Sequence, residues 1–181
     1  MNRRYFLDGL AALGAVGMVS SWPQIASAHD IAAVTTALSR DGRIEPLNQP
    51  RDYWRQYLSE KAWQVLFRDG TEPAFTSELN AEKRAGTYVC AACHLPLFTS
   101  ETKYDSGTGW PSFYAAIAEH IGTKRDFKLI IPRTEYHCIR CGGHQGHVFN
   151  DGPPPTGKRW CNNGVALRFV PLDTALPELR G

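Results

Sequence analysis

Hydrophobic and polar positions divide the chain into segments of different character. Leu10 to Val19 is a run of small and apolar residues without a charge. His29 to Asn48 mixes small, polar and charged residues with no clear period and reads as a loose leader, with a short helix at Ile31–Leu38. From Asp52 to Phe67 the pattern changes. Tyr53, Tyr57, Trp63, Leu66 and Phe67 recur at helix-like spacings among charges. This predicts one or two short helices ending near Asp69-Gly70. From Gly86 onward short apolar or aromatic runs take over: Thr87–Cys90, Phe127–Ile131 and Val165–Val170. Clusters of Gly, Pro, Asp and Asn separate them, as they separate strands. The expected fold is mainly β and mostly antiparallel, with short N-terminal helices.

The apolar run near the start belongs to a different kind of segment. Arg3-Arg4-Tyr5-Phe6-Leu7 precedes it, and Ala26-Ser27-Ala28 follows as a small-x-small cleavage site. The paired arginines resemble a twin-arginine export signal, although Asp8 stands where a lysine is often found. Residues 1–28 are therefore expected to be an export signal and 29–50 a flexible leader. A folded domain would cover 51–172, and 173–181 would be a C-terminal tail. Such a signal implies passage to the periplasm after folding, with metal already loaded. An uncleaved anchor is the alternative, but the apolar run is short against the ~20 residues of a membrane span. No stable membrane insertion is expected after signal removal.

Charge adds an exclusion. The chain has 20 Lys and Arg against 18 Asp and Glu, a net charge of +2. Loss of Arg3, Arg4 and Asp8 with the signal lowers it to +1. A nearly neutral chain has no electrostatic footprint for nucleic acid. Both methionines, Met1 and Met18, lie in the signal. The remaining chain has no methionine to oxidise.

The five cysteines carry the chemistry. Cys90-Ala91-Ala92-Cys93 and Cys138-Ile139-Arg140-Cys141 are two Cys-x-x-Cys pairs, separated by 44 residues. Each follows a strand-like segment, and Gly142-Gly143 after the second pair lets its turn bend. Four thiolates are the usual tetrahedral set for one structural Zn2+ per chain, and a closed set leaves no open position for chemistry. Disulfides or a redox pair are the alternative in an oxidising compartment. No βαβ thioredoxin pattern surrounds either pair.

Counting then isolates Cys161 in Arg159-Trp160-Cys161-Asn162-Asn163. A leftover cysteine in an exported chain is a reactive thiol, an intermolecular partner or a packed core residue. Lys158 and Arg159 supply the positive charge that lowers a thiol pKa. His144-Gln145-Gly146-His147 and Asp151 lie upstream, with imidazoles able to hold a thiolate or move a proton. Thr102 to Phe113 is rich in glycine and aromatics and too irregular for a core strand. Trp110, between Gly109 and Pro111, is either a core residue beside a turn or an indole wall for a small apolar group.

Taken together, these segments resemble the methionine-R-sulfoxide reductase B family from Arg55 to Val170. The resemblance rests on Gly70-Thr71-Glu72-Pro73, Tyr88 to Cys93 and Ser106-Gly107-Thr108-Gly109-Trp110-Pro111-Ser112-Phe113. It continues through His144 to Phe149, Asp151-Gly152-Pro153 and Arg159 to Asn163. It implies a fold of two antiparallel sheets, zinc on the four paired cysteines and Cys161 as nucleophile. It places the substrate methyl against Trp110, with Phe149, from the His144–Phe149 motif, as a second substrate-binding residue. The polar site residues become His144, His147, Asp151, Arg159 and Asn163. Two departures stand out. Gln145 replaces the usual leucine between the histidines. Thr108 stands where many members carry a resolving cysteine.

The expected reaction follows. Cys161 attacks the sulfoxide sulfur of methionine sulfoxide in oxidised exported proteins. His147, or failing that His144, protonates the oxygen. Asn163 orients the oxygen or the thiolate, Arg159 favours the thiolate, and Asp151 orients a histidine or a water. The products are methionine and a Cys161 sulfenic acid, the reversible first rung of thiol oxidation. Without a second cysteine, an external thioredoxin-like thiol must regenerate the enzyme. A monomer is expected. The competing readings are a zinc-stabilised binding module without activity and a thiol peroxidase.

Overall fold

The computed structural model describes residues 43–127 and 132–181. The export signal, the helix expected at Ile31–Leu38 and most of the strand expected at Phe127–Ile131 lie outside the described residues. Among the described residues, no helix is long and apolar enough to cross a membrane.

Two short helices open the fold. A 3₁₀ helix spans Arg51–Tyr57 and α1 spans Glu60–Arg68. Ser59 starts α1 by accepting the Ala62 N–H on its side chain, and Asp69 ends it in the left-handed conformation with φ 51°. These are the N-cap and C-cap devices that satisfy end groups a helix leaves unpaired. Trp63, Leu66 and Phe67 face the core as their spacing predicts. In the first helix the buried ring is Trp54, stacked on Phe67 at 6.0 Å, while Tyr57 stays exposed.

Among the described residues, nine strands form two antiparallel sheets. The first, in order β2-β1-β9, contains β1 (Gly86–Cys90), β2 (Pro96–Thr99) and β9 (Leu167–Pro171). The second runs β3-β4-β8-β7-β6-β5. Its members are β3 (Lys103–Tyr104), β4 (Ser112–Phe113), β5 (Ile121–Asp126), β6 (Arg133–Cys138), β7 (His144–Phe149) and β8 (Arg159–Asn162). The core lies where Phe98 and Phe113 stack at 4.2 Å and Tyr88 and Tyr136 are fully buried.

One sequence expectation is corrected, and the described part of another differs from it. Phe127 is exposed outside any strand; the strand of that hairpin is β5, the polar run Ile121–Asp126, whose mostly solvent-facing residues show no apolar alternation. The irregular Thr102–Phe113 segment also contributes two short strands, and Phe113 belongs to the core.

The ends of the domain are fastened to the cysteine turns. Leu47 N–H donates to the Arg140 carbonyl at 2.6 Å, and Arg180 N–H donates to the Cys93 carbonyl at 3.1 Å. Residues 43–50 and the last residues of the chain thus pack beside the two Cys-x-x-Cys units.

Candidate active site

The four paired cysteines converge. Cys90 and Cys93 come from the end of β1, in the first sheet. Cys138 and Cys141 come from the end of β6, in the second. Their sulfur atoms all lie within 4.8 Å of one another, with Cys90–Cys141 at 3.6 Å and Cys93–Cys138 at 3.5 Å. A disulfide needs about 2.05 Å, so none is formed, and all five cysteines are free. Tetrahedral Zn–S bonds of about 2.3 Å place sulfurs roughly 3.8 Å apart. The cluster fits a metal ion of that kind.

The second cluster grows from strand register. Residues opposite one another on paired strands share a face and bring their side chains together. The pairing Lys124↔Glu135, Glu135↔His147, His147↔Cys161 and Cys161↔Ser112 makes one row across five strands. His147 is therefore the direct cross-strand neighbour of Cys161. Gly146 permits this closeness, because a Cβ there would lie 1.9 Å from the Cys161 carbonyl oxygen.

A register shift then explains the two histidines. Residues three apart on a regular strand face opposite ways. Here Tyr136 pairs with Gly146 but His137 pairs with His144, so Gln145 is an extra residue. Such a bulge re-aims side chains. It returns His144 to the face of His147, with ring centroids 5.4 Å apart. Gln145 points inward and is fully buried, donating Nε2–H to the Cys90 sulfur at 3.4 Å.

A cavity of about 110 Å3 opens over this row, with Cys161, His147, Trp110 and Phe149 on its walls together with Thr71, Arg133 and Asn163. That volume suits a single side chain rather than a whole small-molecule ligand, whose pockets run to ~300 Å3 or more. The Trp110 indole is fixed by donating Nε1–H to the Glu72 carbonyl at 2.8 Å. Asn163 is anchored twice: its Oδ1 accepts from Glu72 N–H at 2.9 Å, and its Nδ2 donates to the Gln145 carbonyl at 3.0 Å. Among the described residues, the second Nδ2 hydrogen meets no acceptor. Glu72 is itself buried and paired with Lys61 at 3.2 Å, so the Gly70–Pro73 segment holds both Trp110 and Asn163 in place.

Arg159 and Asp151 form an exposed bidentate pair, both contacts at 2.9 Å. Asp151 therefore meets Arg159 rather than a histidine: the β7–β8 pairing sets Arg159 opposite Phe149, and Asp151 follows two residues beyond the end of β7. The Arg159 guanidinium also covers the Phe149 ring at 4.2 Å. His144 is buried against Glu135, Nδ1 to Oε1 at 3.0 Å, and does not line the cavity. His147 Nε2 meets Asp126 Oδ2 at 2.7 Å, and Arg133 meets the same oxygen at 2.8 Å. Sequence reasoning missed Asp126, Arg133, Glu135 and Glu72. Only Glu72 stood within a recognised motif.

Electrostatics depart from the simple expectation of a thiolate. Burial pushes the Cys161 thiol above its ordinary value, and this exceeds the lowering by the Arg159 charge and by hydrogen bonds from Thr108 and Arg159. Part of the Arg159 charge is taken up by Asp151. Burial likewise lowers His147, against the raising effect of its Asp126 hydrogen bond. Both shifts favour a neutral thiol beside a neutral imidazole at neutral pH.

Comparison with known proteins agrees with this arrangement. Residues 58–171 match the SelR domain. Over 133 residues the chain is 50% identical to a peptide methionine sulfoxide reductase MsrB of Pseudomonas putida, covering 73% of this chain and all of that protein. It is 48% identical over 124 residues to the MsrB of Leptospira interrogans, covering 68% of this chain and 95% of the other. It is 47% identical over 121 residues to the chloroplastic peptide methionine sulfoxide reductase B1 of Arabidopsis thaliana, covering 66% and 60% respectively. The chain belongs to the methionine-R-sulfoxide reductase B family and is a peptide methionine sulfoxide reductase.

Proposed function

We propose that this enzyme reduces the R epimer of methionine sulfoxide, mainly in proteins, through a Cys161 sulfenic acid. The observation that carries this reading is the shared cavity of Cys161, His147, Trp110 and Asn163. The substrate methyl packs on the Trp110 indole and its oxygen turns toward His147 and the free Asn163 hydrogen.

The neutral resting pair supplies the proton. His147 takes the Cys161 proton as sulfur attacks the sulfoxide sulfur, then delivers it to the oxygen. The sulfoxide sulfur gains two electrons, the cysteine sulfur loses two, and the oxygen ends on Cys161 as S–OH. His147 is the acid and base here because it lines the cavity while His144 does not. Arg159 stabilises the transient thiolate. An external thioredoxin-like thiol then attacks the sulfenic acid, releasing water and forming a mixed disulfide that its second thiol resolves. Zn2+ on Cys90, Cys93, Cys138 and Cys141 would tie the two sheets together and take no part in the reaction. The Arg3-Arg4 segment supports export to the periplasm, which fractionation of cells producing the full chain would test.

The test of the reaction is turnover of methionine sulfoxide racemic at sulfur. The enzyme should consume the R half and stop. Cys161→Ser should consume none and keep its zinc. Reductase activity in that variant would remove Cys161 from the role.

A further inference from the structure

Each histidine of the site carries a buried carboxylate, and each carboxylate carries a cation. Lys124 and Glu135 stand behind His144; Arg133 and Asp126 stand behind His147. Only the second set reaches the cavity. Asp126 ends β5, two strands away from His147, and its side chain is 4% exposed. Its Oδ2 receives both the imidazole and the guanidinium, at 2.7 and 2.8 Å. A buried carboxylate persists only when it is paired and hydrogen-bonded. Here the pairing is aimed at the imidazole beside the reactive thiol.

The chemistry of imidazole gives this contact a consequence. A neutral histidine has one nitrogen that donates and one that accepts, and the partner of one fixes the state of the other. A carboxylate on Nε2 holds the proton there and leaves Nδ1 as the accepting nitrogen. It also fixes the ring's rotation, which proton transfer over hydrogen-bond distance requires. We propose that Asp126 is a positioning residue for the reductase reaction, holding His147 in the Nε2–H tautomer with Nδ1 available to exchange the proton of Cys161. The proposal rests on the reductase reading above and adds a residue to it.

The groups around His147 fix the direction of the test. Asp126 faces it from β5, Arg133 and Glu135 from β6, His144 from β7, and Cys161 and Arg159 from β8. Asp126 raises the His147 pKa, whereas burial, Arg133 and His144 lower it. Asp126→Asn removes the raising charge and leaves Arg133 uncompensated, so His147 should titrate at lower pH than in the wild type.

The measurement is the pH titration and tautomer state of His147 by nitrogen-resolved NMR in the resting, zinc-loaded protein, with kcat and KM across the same pH range. In Asp126→Asn we expect mixed tautomers, a titration displaced to lower pH and kcat lower by about tenfold or more with KM little changed. Asp126→Glu, which keeps the carboxylate, should recover part of the loss. An unchanged His147 titration and tautomer in Asp126→Asn overturns the proposal. So does a loss of activity accompanied only by lower thermal stability, with the pH profile unmoved. Because the NMR titration uses resting protein, it decides the positioning role even if the wild type reduces no sulfoxide.

Discussion

Gln145 joins the cysteine cluster to the substrate cavity. Its side chain donates to the Cys90 sulfur at 3.4 Å, while its carbonyl receives both the Asn163 N–H and the Asn163 side-chain amide. Donors to a ligating sulfur tune how firmly the metal is held, and their loss typically costs 10–100-fold in affinity. Gln145→Leu keeps the carbonyl and removes the donor. In the zinc-loaded protein it should speed zinc release to a chromogenic chelator by about tenfold. Equal release rates would show that the amide contributes nothing to the cluster.

Removing the metal should have a larger effect. The cluster joins β1 of one sheet to β6 of the other, and both ends of the domain fasten to the same turns. Structural zinc in zinc-finger peptides contributes roughly 10–16 kcal/mol. A domain's whole stability is about 5–15 kcal/mol. The metal-free protein should therefore lose cooperative unfolding at room temperature, as followed by circular dichroism during chelation. A melt displaced by only a few degrees would mean that the sheets hold without the metal.

Much of this site could be read from the sequence because its parts are local. Four cysteines in two Cys-x-x-Cys pairs name themselves, Cys161 remains by subtraction, and Trp110 sits between a glycine and a proline. What could not be read depends on register. Asp126 reaches His147 from two strands away, and the length of the intervening hairpin gives no hint of the pairing. His144 and His147 share a face only because Gln145 is an extra residue against β6, and spacing alone would set them on opposite faces. β5 itself is illegible because its middle residues, Thr123 to Arg125, face water and the strand lacks the apolar alternation that marks one.

The raised thiol value of Cys161 has a direct measure. Iodoacetamide reacts with thiolate, so alkylation of Cys161 should be slow near neutral pH and rise through a midpoint above that of an ordinary thiol. Arg159 lowers this value, so Arg159→Met should move the midpoint to still higher pH. Alkylation at neutral pH should then slow. Alkylation faster than that of an unfolded control at neutral pH would mean that the charge of Arg159 outweighs burial.

The last prediction concerns regeneration. The Thr108 hydroxyl hydrogen-bonds to Cys161 and also meets Ser106 Oγ at 2.8 Å. Gly107 and Gly109 flank Thr108 at φ 70° and 87°, a conformation that glycine adopts without strain. A thiol in place of the hydroxyl would thus lie beside the sulfenic acid formed on Cys161. Its attack would form one S–S bond and release water, replacing the external thiol in the first reductive step. Thr108→Cys should therefore convert the oxidised product from a sulfenic acid, trapped by dimedone in the wild type, to an internal disulfide found by mass spectrometry. The substitution also weakens a hydrogen bond that favours the Cys161 thiolate, so reduction of the sulfoxide should slow while the oxidised enzyme becomes a better partner for a dithiol donor. Dimedone labelling equal to that of the wild type would show that the loop holds residue 108 in an orientation unable to reach Cys161.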